Sequence, residues 1–242
     1  MMAGDSRRRN FTLQVPDPPK SFWTVEDETP EALAQKALGF NCLNYQRSAE
    51  GALERHYLPN KTFLDANCAD GVRLELMFPS CWDGKNIDSP DHKSHLAYPN
   101  LVMEGECPVG FQTKVPALFY ETIWDTPAYR GVDGNFVISN GDPTGLYGSN
   151  TIRRRLSYAL GFGYHGDFMT GWNVGFLQQA VNTCTNLSGR IEDCPLFHIQ
   201  SDEDAAKCFL KTPDELRDDN CAGPRRGLCG NVTIQAGPGY AN

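Results

Sequence analysis

The sequence predicts a mainly β fold, a β-sandwich or jelly-roll-like core with two or three peripheral helices, stapled by disulfides. Three observations predict it. GVRLELMF alternates apolar and polar residues with the period of a strand. VPALFYETIW and NFVIS are rich in the aromatic and β-branched residues that suit a pleated surface. Nine cysteines at irregular spacing, with no CxxC pair, read as a disulfide framework rather than a zinc ribbon or a thioredoxin-like motif. With 242 residues the chain can build one sizeable core. A single domain is expected over 1–210, followed by a loosely structured tail over 211–242 that is poor in core formers and tethered by Cys221 and Cys229.

Taken in order, ETPEALAQKALGF reads as a short helix. Thr29 can cap its orphan amides, Pro30 suits the first turn, and Gly39 can supply a left-handed exit. Its apolar face is Leu33, Ala37 and Leu38. In GVRLELMF, Val72, Leu74, Leu76 and Phe78 take one face, and Arg73 and Glu75 take the other, so the strand should be half-buried. Glu121, flanked by aromatics within FYETIW, sits either on a wet face or with a raised pKa. WNVGFLQQAVNTC places Val174, Leu177, Val181 and Cys184 at helical spacing. SDEDAAKCFL offers Ser201 as the cap of another short helix.

A formal charge of −8 and a pI near 5.1 exclude a protein that tracks nucleic-acid phosphates, which needs a clustered surplus of Lys and Arg. The basic runs Arg7–Arg9 and Arg153–Arg155 are short and read as solvated faces. No apolar run approaches a membrane span. Sequons at Asn10, Asn60, Asn186 and Asn231, taken with the cysteines, favour an extracellular or cell-wall protein. MMAGDSRRRN has no apolar signal region, which with an odd cysteine count points to a missing N-terminal segment. Most cysteines should pair and at least one should remain a free thiol.

Two histidine-bearing loops carry the candidate chemistry. SPDHKSH holds Asp91, His92 and His95; a turn opened by Ser89 and Pro90 would put both histidines on one side, to share a proton or bind a metal. GYHGDF holds His165 and Asp167 between glycines that let the backbone approach a ligand. Imidazole titrates near neutrality and a carboxylate can orient it, which suits general acid/base work; the same residues could equally build turns and satisfy a backbone carbonyl. Trp82 and Trp172 border the two loops as candidate sugar-stacking platforms, or as core residues. Asn140 and Asp142 of NGDPTG, within strong turn chemistry, complete the candidates for substrate contact. His56 and His198 lie in no comparable cluster and read as structural. No GxSxG elbow, phosphate loop, dinucleotide fingerprint or HExxH helix is present.

Read in order, FPSCWDGKNIDSPDHKSHLAYP (78–99), FYETIWD (119–125), NGDPTG (140–145), GYHGDFMTGW (163–172) and SGRIEDCPLF (188–197) resemble the DUF1996 family of secreted fungal proteins, from about Met2 to about Leu210. The resemblance implies a secreted fungal protein, in a family whose members often carry cell-wall or carbohydrate-associated modules, and it implies no reaction. Members usually begin with a signal peptide and a His-rich SHVH-like segment, whereas this chain begins at the part resembling MxAGDxxxRNF. In the family NGDPTG runs directly into GYHGDF, whereas here residues 146–161 intervene. Excising them restores GDPTGFGYHGDF, so a translated intron or a gene-model error is expected, and the segment should pack loosely. A surface insertion is the other reading.

The function expected from these readings is a carbohydrate-active hydrolase or lyase acting on a wall polysaccharide, with His92, His95, His165, Asp167 and Asp91 as acid/base groups. The alternative is a non-catalytic glycan-binding or structural wall protein that binds through Trp82 and Trp172. No cofactor is expected; a metal held by Asp91, His92, His95 or His165 is the third possibility. Whether the two histidine loops share a cleft separates these readings.

Overall fold

A computed structural model describes residues 1–5, 16–138, 142–143, 163–169, 171–186, 188–209, 211, 213–216, 224 and 226. The segment 146–161 and both Cys221 and Cys229 lie outside the described residues, as does nearly all of the 211–242 tail. Two compact units are present, one built on Met1–Phe168 and the other on Met169–Gly223. The first contains β1 (Met2–Gly4), α1 (Pro30–Lys36), β2 (Leu38–Leu43), α2 (Lys61–Asn67), β3 (Gly71–Met77), β4 (Cys81–Trp82), β5 (Leu96–Ala97), β6 (Thr113–Lys114), β7 (Phe119–Trp124), β8 (Val137–Ile138), β9 (Asp142–Pro143) and β10 (His165–Asp167). The second contains α3 (Val174–Thr183) and α4 (Asp202–Ala205). The strand-rich core with a few helices and disulfide staples is therefore the architecture adopted, its strands gathered in antiparallel sheets ordered β2-β3-β7, β5-β4-β6, β1-β10 and β8-β9.

α1 starts where its cap chemistry places it, with the Ala32 N–H donating to Thr29 Oγ1 at 3.3 Å and Pro30 in the first turn. Leu33 and Ala37 are buried as expected. Gly39 is not the helix exit: Ala37 closes the helix in a right-handed conformation, and Gly39 lies within β2 opposite Glu75. Any side chain at Gly39 would collide with the Glu75 carboxylate, so close approach, and not a turn, is what a glycine serves here.

β3 is the central strand, and both of its faces are buried rather than one. Val72 and Leu74 join Phe40, Leu58, Leu64 and Cys68 in one cluster, while Leu76 joins Ala3 and Phe78 in another. On the opposite face Glu75 is fully buried. Its Oε2 accepts the Leu53 N–H at 2.8 Å, and its Oε1 accepts Asn41 Nδ2 at 3.2 Å and lies 2.7 Å from Arg73 Nη2. Burial pushes its carboxyl above the ordinary range despite these donors. Glu121, its cross-strand partner, lies on the wet edge, half-exposed, with Arg73 Nε 3.2 Å away.

Beside α1 a buried ionic knot holds the chain that leads into the helix. Lys36 Nζ, almost fully buried, lies 2.9 Å from Asp17 Oδ1 and 3.3 Å from Asp27 Oδ1, and 4.4 Å from the centre of the Trp23 ring. His56, read as structural, is buried: its Nδ1 lies 2.6 Å from the Leu38 carbonyl, which can only accept, and its Nε2 lies 2.9 Å from Asp17 Oδ2, and the residue also lines the cavity described below. Burial pushes the Asp17 carboxyl up, but the hydrogen bonds and charges of His56 and Lys36 outweigh it and hold the group below its usual 3.8. A carboxyl depressed in the folded state stabilises above its unfolded value and loses that contribution as pH falls through the folded one. The Asp17→Asn variant should therefore show a flatter fall of stability below about pH 4 than the parent. Urea unfolding at successive pH values measures this, and identical acid slopes would refute it.

Disulfides join Cys42–Cys68, Cys81–Cys107 and Cys184–Cys194, and Cys208 is an exposed free thiol. The first ties β2 to the end of α2, and the second ties β4 to the loop before β6. In the second unit α3 forms where expected, capped by Asn173, whose Oδ1 accepts the Phe176 N–H at 3.1 Å. Its inward face is different: Ala180 is buried and Phe176 packs against Trp172 and Phe197, whereas Val174 is 82% exposed. Ser201 caps α4 as expected.

Candidate functional site

The N-terminal strand brings the two histidine loops together without merging them. β1 pairs with β10 in the register Met2↔Asp167, Ala3↔Gly166, Gly4↔His165, closed by the Phe168 N–H donating to the Met1 carbonyl at 2.9 Å. On its other edge the Met2 N–H donates to the His92 carbonyl at 3.0 Å. One strand thus lies between the loops, which places the His92 and Asp167 backbones about 10 Å apart across two inter-strand steps. Alternation decides the faces. Ala3 is buried with Leu76 and Phe78, and a Cβ at Gly166 would strike Leu76, so that side faces the core. His165 and Asp167, one position to either side of Gly166, are exposed on the outer face.

His165 Nδ1 lies 2.7 Å from the Gly163 carbonyl and must donate to it, which leaves Nε2 unprotonated in the neutral ring and without a partner among the described residues. Across the ribbon, Gly4 has φ +77°, and a Cβ there would strike the Tyr164 carbonyl, a close approach that excludes a side chain.

The 88–95 turn is organised by its carboxylates. Asp91 Oδ1 accepts the Lys93 and Ser94 N–H groups at 3.1 and 2.9 Å and both the Ser89 and Ser94 hydroxyls at 2.9 Å. Those donors, the Ser94 amide first, hold its carboxyl far below the ordinary range, so Asp91 is a turn-former and cannot act as a proton donor near neutrality. Ser89 gives its one proton to Asp91, so His95 Nδ1, 2.8 Å from Ser89 Oγ, carries its own. His95 is buried, whereas His92 is exposed, held at φ +55° with Nδ1 2.8 Å from Asp88 Oδ1. The two histidines of SPDHKSH therefore do not share one side. Among the described residues no three His, Cys, Asp or Glu side chains are grouped to hold a metal ion.

Trp82, in β4 and half-buried, donates from Nε1 to the Asn86 carbonyl at 2.6 Å. Trp172 belongs to the second unit, 46% exposed, with its ring parallel to that of Phe176 at 5.8 Å. Asp142 pairs through its backbone with Ile138; Asn140 and the Asp142 side chain lie outside the described residues.

A cavity of about 920 Å³ opens against β1. α1, β1, the 93–98 segment with β5, and the 106–111 loop form its walls, and Leu33, Leu38 and Phe111 supply apolar surface. Its described carboxylates are Asp5, Glu28, Glu31, Asp91 and Glu106, against a single lysine, Lys93, which lies 3.6 Å from Asp5. Among the described residues Glu28, Glu31 and Glu106 form no ion pair, and all three are exposed. His92, His95, His165 and Asp167 do not line it; of the candidate acid/base groups only Asp91 does. Sequence reasoning missed this site because its residues come from four separated segments. The one local signal was the pair Glu28 and Glu31 beside Pro30, two carboxylates at a helix start with no basic residue to match.

These features define a small-sheet, disulfide-stapled domain with a broad cavity against β1. The chain belongs to the family described as a domain of unknown function (DUF1996), whose model matches residues 1–172. That match ends close to the boundary of the first compact unit at Phe168. No curated protein and no solved structure matches the chain.

Proposed function

We propose that the chain is an extracellular glycan-binding protein of the fungal cell wall, with its ligand held in the cavity between α1, β1 and the 93–98 segment. The observation that carries this reading is the separation of that cavity from the exposed His165–Asp167 face of the ribbon. A cavity of this size accepts a short oligosaccharide, with apolar walls for sugar faces and carboxylates to accept from hydroxyls. Hydrolysis or elimination needs acid and base within reach of one substrate, and His92, His95, His165 and Asp167 do not line the cavity. The family resemblance supplies the glycan, and three disulfides fit an oxidising compartment; among the described residues no helix is long and apolar enough to cross a membrane.

A carbohydrate-active hydrolase or lyase working on the ribbon's outer face is the rival. It is favoured by the Nε2 of His165, without a partner among the described residues, beside Asp167 on one exposed strand face. Titrating the protein with wall oligosaccharides by calorimetry, while assaying for product, separates the two. Binding without turnover, weakened about tenfold in Phe111→Ala and unchanged in His165→Ala, is the expected result. Product formation that disappears in His165→Ala would overturn the binding reading.

A further inference from the structure

The carboxylates around the cavity narrow the ligand. Glu28 and Glu31 at the start of α1 and Glu106 on the 106–111 loop lie exposed on two separate segments of the wall, with no cation paired to them among the described residues, and the one lysine of the described lining is already beside Asp5. Like charges around one concavity repel and raise the local concentration of cations. They do not converge on a point, since no three acidic or histidine side chains are grouped to hold a metal ion among the described residues. Dispersed carboxylates match a ligand whose positive charges are themselves dispersed, and the apolar strip from Leu33, Leu38 and Phe111 matches one with apolar faces between its charges. A sugar chain with an ammonium on each ring has both properties, and charge-assisted hydrogen bonds to carboxylates are about twice as strong as neutral ones.

We propose that the cavity selects saccharides bearing free amino groups, binding glucosamine oligomers in preference to N-acetylated or neutral ones. This rests on the glycan-binding reading. The test uses the full chain and four probes, namely a glucosamine tetramer, its fully N-acetylated counterpart, a neutral β-glucan tetramer and tetralysine. Calorimetry is run at low salt and at a mildly acid pH that protonates the sugar amines. The glucosamine tetramer should bind at least about tenfold tighter than the other three and weaken as salt rises. In the Glu28→Gln/Glu31→Gln/Glu106→Gln variant, which changes only exposed side chains, that preference should collapse toward unity. Equal binding of the neutral or acetylated tetramer would overturn the inference while leaving the glycan-binding reading intact. Failure of every saccharide to bind would overturn both. Tighter binding of tetralysine would overturn it in favour of a basic peptide partner.

Discussion

Lys36→Met is expected to destabilise the protein by about 3–5 kcal/mol, a large fraction of the stability of an ordinary domain. Methionine keeps most of the volume against Trp23 but removes the ammonium shared by Asp17 and Asp27. Two carboxylates would then remain at a nearly dry site, Asp17 with His56 as its remaining partner. The cost comes from stranding those charges rather than from losing the pair itself, so Lys36→Met combined with Asp17→Asn should cost less than the sum of the two single changes. Guanidinium unfolding of the four proteins measures the coupling. Strict additivity, or a loss below about 1 kcal/mol for Lys36→Met, would show that the knot contributes little.

Glu75→Ala is expected to cost about 3 kcal/mol or more, because it orphans the Leu53 N–H and one Asn41 donor and leaves Arg73 without its buried partner. Glu75→Gln should cost less. It retains an oxygen for Arg73 and Asn41 but turns an amide toward the Leu53 N–H, so one bond is lost instead of three. The carboxyl's raised value gives this site a pH signature opposite to that of Asp17. Between the unfolded and the folded value the folded protein binds more protons, so stability falls as pH rises through that window. Glu75→Gln should remove that decline. Leu53 is held at φ +56°, a strained position for a leucine, so the loop it occupies should also become more susceptible to protease in Glu75→Ala. Unchanged midpoints in both variants would refute the anchoring role.

Local patterns in the chain were enough for several elements. The cap and first turn of α1, the alternation of β3, the span of β7, the existence of α3 and the Ser201 cap each depend on side chains a few residues apart, which interact whatever the rest of the chain does. Cysteine usage likewise announced a disulfide framework, and the loop motifs announced the family.

What the tertiary structure alone decided is which face each element buries and what the loops meet. α3 turned Ala180 and Phe176 inward and left Val174 outside, because a helix with apolar residues on several sides takes its orientation from its neighbours. Glu75 went into a dry face because the 50–55 segment covers β3 on the side that alternation marked as polar. The candidate site was decided by β1. Three residues at the start of the chain pair with β10 across more than 160 positions, turn His165 and Asp167 outward, and line the cavity that those two residues do not. A strand of three residues carries no periodicity to read, and its partner is chosen by closure of a long loop onto a hydrophobic surface, so its consequences exist only in the folded chain.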